Sequence, residues 1–158
     1  MSLFLATHHH KIDAKGRVSL PASFRSTLNH LGTTTLNDAE RNTIVLFPSH
    51  KSPALEGCSL NLMTEISQRL DKFDLFSDVQ DDWAATIFGR AVPLSFDETG
   101  RIQLPAHLLA HAGLGTEAAF VGLGNKFQIW VPAALAAHQE SALQKLKTGQ
   151  LTLPKGGA

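Results

Sequence analysis

The strongest constraint on this chain is a block that occurs twice. Asp13-Ala14-Lys15-Gly16-Arg17-Val18-Ser19-Leu20-Pro21-Ala22-Ser23-Phe24 is echoed by Asp97-Glu98-Thr99-Gly100-Arg101-Ile102-Gln103-Leu104-Pro105-Ala106-His107-Leu108. Both read Asp-x-x-Gly-Arg-(Val/Ile)-x-Leu-Pro-Ala-x-apolar, at an offset of 97 − 13 = 84 residues. The same offset carries Ile44-Val45-Leu46-Phe47-Pro48 onto Gln128-Ile129-Trp130-Val131-Pro132. Two matched blocks at one offset mark an internal duplication. A unit that recurs as a pair is expected to bury its apolar face against its copy.

Each block has a local logic. Gly16 and Gly100 stand where a chain turns with positive φ, and Asp13 and Asp97, three residues earlier, can accept from backbone N–H groups inside the turn. Alternation follows, with Val18 and Leu20 on one side and Arg17 and Ser19 on the other. Pro21 and Pro105 suit the first turn of a helix. Each block therefore reads strand, turn, strand, short helix, and Gly113 suits the end of the second helix. The expected class is α+β, mainly β.

The 158 residues suffice for one compact domain or two small units sharing a core. The formal net charge is zero, but its distribution is uneven. Residues 1–25 hold Lys11, Lys15, Arg17 and Arg25 against Asp13, whereas residues 71–82 hold five Asp against Lys72. Cys58 is the only cysteine, which rules out an internal disulfide and fits a reducing cytoplasm. No apolar run approaches the roughly 18 residues of a membrane span, and the first residues lack the pattern of a signal peptide. His8-His9-His10 would alternate faces on a strand, so they read as partly exposed strand histidines and not as a metal site.

Periodicity sets the remaining expectations. Pro21 to about Asn29 forms a helix with Phe24 and Leu28 inward; Gly32–Leu36 and Thr43–Phe47 are strands, with a turn at Asn37-Asp38 between them. Ser49–Gly57 reads as loop. Leu62, Ile66, Leu70 and Phe73 mark one amphipathic helix, and Val79, Trp83 and Ile87 a second, capped by Ser77 or Asp78, with both stripes assigned to the core. Ala118–Gly122 and Phe127–Val131 are strands about a turn at Leu123–Lys126. Gly122-Leu123-Gly124 lacks the third glycine and helix of a phosphate loop. Ala133–Lys147 closes the fold as a helix with Leu135, Ala142, Leu143 and Leu146 on one face. The expected units are 4–75, a connector helix over 76–89, 90–147, and a flexible tail over 148–158.

These residues resemble the MraZ family of bacterial transcriptional regulators. The resemblance rests on Asp13–Pro21, Phe24-Arg25, Gly89–Ala91, Asp97–Pro105, Ala112–Leu114 and Val121–Trp130, and runs over about residues 4–147. It implies a duplicated AbrB-like (SpoVT-AbrB) swapped-hairpin barrel, a pseudo-dimer within one chain with flanking helices. It also implies a homo-oligomeric ring, nucleoid association, and binding of double-stranded DNA at short direct repeats upstream of the division and cell-wall cluster and the protein's own gene. The family's Asp-x-x-x-Arg motif falls on Asp13–Arg17 and Asp97–Arg101. Two family arginines are missing: Leu5 follows Phe4, and Leu109 follows the short-helix Leu108. DNA contact is thereby expected from Lys11, Lys15, Arg17, Arg25 and Arg101, concentrated in the first copy, with Asp13, Gly16, Asp97 and Gly100 orienting the turns.

The residues also bear on two other function classes. Paired aspartates in a duplicated unit invite comparison with an aspartic protease, but an adjacent Arg would hold each Asp ionised. No Ser or Cys constellation accompanies the histidines, so no catalysis and no cofactor are expected. An AbrB-like protein-interaction or antitoxin-type module is the alternative, with Asp71–Asp82 as its candidate partner surface.

Overall fold

A computed structural model describes residues 3–31, 37–149 and 151–156. In chain order the elements are β1 (Thr7–Lys11), β2 (Arg17–Ser19), α1 (Ala22–Leu31), α2 (Asp38–Arg41), β3 (Thr43–Pro48), β4 (Leu55–Cys58), α3 (Leu60–Leu70) and α4 (Asp78–Ile87). A 3-10 turn at Phe88–Arg90 leads to β5 (Val92–Ser95), β6 (Arg101–Gln103), α5 (Ala106–Ala112), β7 (Glu117–Gly122), β8 (Phe127–Trp130) and α6 (Pro132–Lys147). The class is α+β. The described strands make a six-stranded sheet in the order β1-β7-β8-β4-β3-β5 and a two-stranded ribbon of β2 and β6. No closed barrel is detected among them.

Most strand pairs join one repeat to the other. β1 runs antiparallel to β7 with Thr7 opposite Val121, β5 to β3 with Ser95 opposite Thr43, and β2 to β6 with Val18 opposite Ile102. The inward residues of the ribbon, Val18, Leu20, Ile102 and Leu104, are buried with Phe24, Leu108, Phe120 and Phe127 in the main core. Phe4 closes it, with its ring centroid 5.2 Å from Phe24 and 5.1 Å from Phe127, while its backbone bridges Gly124. Burying each aromatic of this size is worth about 2–3 kcal/mol. The buried apolar set is thus drawn from both repeats.

The opposite face of the large sheet carries two smaller clusters, one under α6 around Trp130 and Leu135, the other under α3 around Val45, Cys58 and Met63. Between them Glu56 is buried. It accepts from Lys126 Nζ at 2.9 Å and from Gln128 Nε2 at 3.1 Å, and Gln128 Oε1 accepts from Trp130 Nε1 at 2.9 Å. This chain of bonds satisfies a carboxylate that would otherwise be costly to bury.

Several elements depart from the sequence reading. Ser49–Gly57 was expected as loop, yet Leu55–Cys58 is a buried strand between β3 and β8. Gly57 is required there because a Cβ would come within 2.3 Å of the Phe127 ring. α3 ends at Leu70, so Phe73 lies beyond it and is exposed. Val79 and Trp83 were assigned to the core but are 50% and 38% exposed, because α4 packs on α3 by one edge only. Leu143 and Leu146 also face outward, since α6 extends past the sheet. The Asn37-Asp38 turn is the start of α2, capped by Asn37 Oδ1 accepting from Glu40 N at 2.8 Å. Ser77 caps α4 as expected, and Gly113 ends α5 at φ 63°. The strand expected at Gly32–Leu36 lies outside the described residues.

Candidate nucleic-acid interface

The ribbon of β2 and β6 is built around its two turns. Asp13 Oδ1 accepts from the backbone N–H groups of Lys15 and Arg17, both at 2.9 Å, and its Oδ2 accepts from Arg17 Nε at 2.7 Å. Gly16 donates to the Asp13 carbonyl at 3.0 Å and takes φ 79°. The second turn repeats this. Asp97 Oδ1 accepts from the backbone of Thr99 at 2.9 Å and of Arg101 at 3.0 Å, and Gly100 takes φ 83°. Thr99 changes the detail. Its hydroxyl donates to Asp97 at 2.7 Å and accepts from Arg101 Nε at 3.2 Å, so Arg101 stands 3.6 Å from Asp97.

Both aspartates are held ionised. The Arg17 backbone N–H and then its guanidinium lower the Asp13 carboxyl below its usual value. The Thr99 hydroxyl and then the Arg101 backbone N–H lower Asp97 to about 2. Carboxylates with such donors have no proton to share at neutral pH, unlike a proteolytic pair. Burial pushes the Cys58 thiol up to about 12, with the Glu56 carboxylate adding to the shift, so it is no ready nucleophile. Among the described residues no group of three or more His, Cys, Asp or Glu could hold a metal, and no described helix is long and apolar enough to cross a membrane.

The two turns are tied to each other. Leu104 N donates to the Gly16 carbonyl and Leu20 N to the Gly100 carbonyl, each at 2.8 Å. Gln103 Nε2 adds a bond to the Lys15 carbonyl at 3.1 Å. With Val18 and Ile102 turned inward, Arg17, Ser19, Arg101 and Gln103 share the outer face. Arg17 sits opposite Gln103 and Ser19 opposite Arg101, so the two arginines are diagonal neighbours, at a spacing of roughly 7–8 Å. Ser19 shares the Arg17 side as the alternation implies, and the same alternation in the second copy exposes Gln103, which the sequence reading does not single out.

The remaining basic residues separate. Lys15 is exposed at the tip of the first turn. Lys11 ends β1 in the large sheet, in register with Glu117, whose charge offsets it. Arg25, expected to work with the first copy, reaches the other turn instead: a Cβ on Gly100 would lie 2.5 Å from its Cζ. The corresponding neighbour of Gly16 is Leu109, whose Cδ1 would lie 3.3 Å from a Cβ there. Each turn is therefore covered by the short helix of the other repeat, with a guanidinium at one end and an apolar side chain at the other.

Comparison with known proteins agrees with this duplicated plan. Residues 3–72 and 87–149 match the family described as "MraZ protein, putative antitoxin-like". A relative from Gluconacetobacter diazotrophicus, named transcriptional regulator MraZ, is 43% identical over 157 residues, covering 99% of this chain and 95% of its own. One of the same name from Gluconobacter oxydans is 41% identical over 150 residues, covering 94% and 87%. Another so named, from Pelagibacter ubique, is 38% identical over 151 residues, covering 96% and 92%.

Proposed function

The chain belongs to the MraZ family, and we propose that it is a sequence-specific regulator of transcription that lays the β2–β6 ribbon against double-stranded DNA. One observation carries this: an antiparallel two-stranded ribbon presents Arg17, Arg101, Gln103 and Ser19 on a single outward face. The major groove, about 12 Å wide, admits such a ribbon, and Arg and Gln are side chains that read guanine and adenine edges there. Arg17 Nε donates to Asp13 Oδ2, which reduces the side-chain freedom lost on contact. Lys15 adds a phosphate contact.

One protomer offers few such groups. The proposed operator is a set of short direct repeats, upstream of the protein's own gene and the division and cell-wall cluster, met by a homo-oligomeric ring. Simultaneous engagement of several ribbons raises affinity through effective concentration. The strand exchange between repeats supports reading the chain as a pseudo-dimer of swapped hairpins. Action on DNA places it in the cytoplasm, at the nucleoid. No catalytic step is assigned to it.

The second reading, a protein-interaction or antitoxin-type module, is favoured by the exposed apolar residues Leu75, Phe76 and Trp83 beside the acidic stretch. Fluorescence anisotropy separates the two. Tighter binding to the duplex upstream of the gene than to a scrambled duplex, weakening steeply with salt, is expected of the regulator. A folded, oligomeric sample that binds neither duplex would leave the partner-binding reading.

A further inference from the structure

The two ends of the ribbon are unlike in charge. At the first turn Lys15 and Arg17 outweigh Asp13, and the adjoining hollow of about 570 Å³ has Lys15 as its one charged residue among the described lining, with apolar Leu94, Leu104 and Leu109. At the second turn the hollow, of about 470 Å³, is lined by Arg25, Asn29, Asn42, Phe96, Asp97 and Glu98. Arg25 and Arg101 there are balanced by Asp97 and Glu98, so little Coulombic attraction remains for a phosphate. Donors and acceptors instead stand side by side, as they do on the edge of a base pair.

Arg25 is placed for that role. Its Nε is buried without a hydrogen-bond partner among the described residues, and its guanidinium lies over Gly100, where even one methyl group would collide with it. Only the terminal nitrogens are then left for a bidentate contact. Resting on the proposed DNA reading, we infer that the second turn, completed by Arg25 from the first repeat, reads base identity, while the first turn holds the DNA backbone. Arg25 is thus a specificity-determining residue acting with Arg101, and Leu109 leaves the first turn without a counterpart.

The test compares variants on the upstream duplex and a scrambled one, across a salt series. Arg25→Ala lowers the ratio of the two affinities about tenfold and leaves the salt slope unchanged, as a lost base contact does. Lys15→Ala weakens both duplexes alike and lowers the slope by about 1. Glu98→Gln, at an exposed residue with little bearing on folding, removes a negative charge from the second turn, so it strengthens binding to both duplexes and lowers their ratio. Equal weakening of both duplexes by Arg25→Ala, with a slope loss of about 1, would make Arg25 a phosphate contact and overturn the inference. So would an unchanged ratio in both Arg25→Ala and Glu98→Gln. Wild-type protein that binds neither duplex sinks the DNA reading itself and this inference with it.

Discussion

The backbone N–H of Leu104 reaches the carbonyl oxygen of Gly16, in the other repeat, at 2.8 Å. Leu20 and Gly100 make the reciprocal bond. Both leucines are buried. Each turn is therefore anchored through the core to the strand that follows the other turn, and neither Asp-x-x-Gly-Arg motif is an independent hairpin tip.

Gly100→Ala destabilises the protein by about 1–3 kcal/mol in urea unfolding, because a Cβ meets both a positive φ and the Arg25 guanidinium. Gly113→Ala, at a similar φ with nothing within 4 Å of a Cβ, loses only about 1 kcal/mol. Equal losses at the two sites would mean that Arg25 moves aside freely.

Arg17→Ala weakens DNA binding more than Arg101→Ala. The expected costs are about 2 kcal/mol on either duplex for Arg17 and about 1 kcal/mol, confined to the upstream duplex, for Arg101. Anisotropy titrations at fixed salt measure both, and equal losses would remove the asymmetry between the turns.

Acid loosens the second turn late. The folded carboxyl of Asp97 lies at about 2, below its value in the unfolded chain, so its stabilisation is fully present above the ordinary carboxylate range and is lost as pH falls toward 2. A carbon-13 NMR titration of the Asp97 carboxyl should show its midpoint near 2, and Thr99→Ala should move it upward by removing the hydroxyl donor. A midpoint at the ordinary Asp value would mean that the turn's donors do not engage the carboxylate in solution.

Lys126→Ala destabilises the fold by roughly 3 kcal/mol, because Glu56 stays buried with its counter-charge gone. The doubly substituted Glu56→Gln, Lys126→Ala protein should recover most of that loss in chemical denaturation. A single variant as stable as the parent would show that Gln128 alone satisfies Glu56.

The Asp turns, the ribbon strands and the helices after Pro21 and Pro105 were legible because their determinants lie within a dozen residues. Strand β4 was not. Leu55-Glu56-Gly57-Cys58 has no alternation and no β-branched residue, and it is a strand because Phe127, Gln128 and Lys126 complete it from 70 or so residues away. The stripe of Val79 and Trp83 was misplaced for a related reason. Period reveals which residues share a helix face, but not whether the fold supplies a surface to cover it.

The amino-acid sequence by itself determined the duplication, the family and the local form of each turn, because an Asp carboxylate, two backbone N–H groups and a Gly at positive φ form a closed set of short-range bonds. Only the tertiary structure decided which helix covers which turn. Arg25 is adjacent to the first motif in the chain but packs on the second, since the pairing of β2 with β6 sets α1 beside the turn of the other repeat. Contacts of that kind join residues 75 positions apart through a shared core, and no local pattern encodes them.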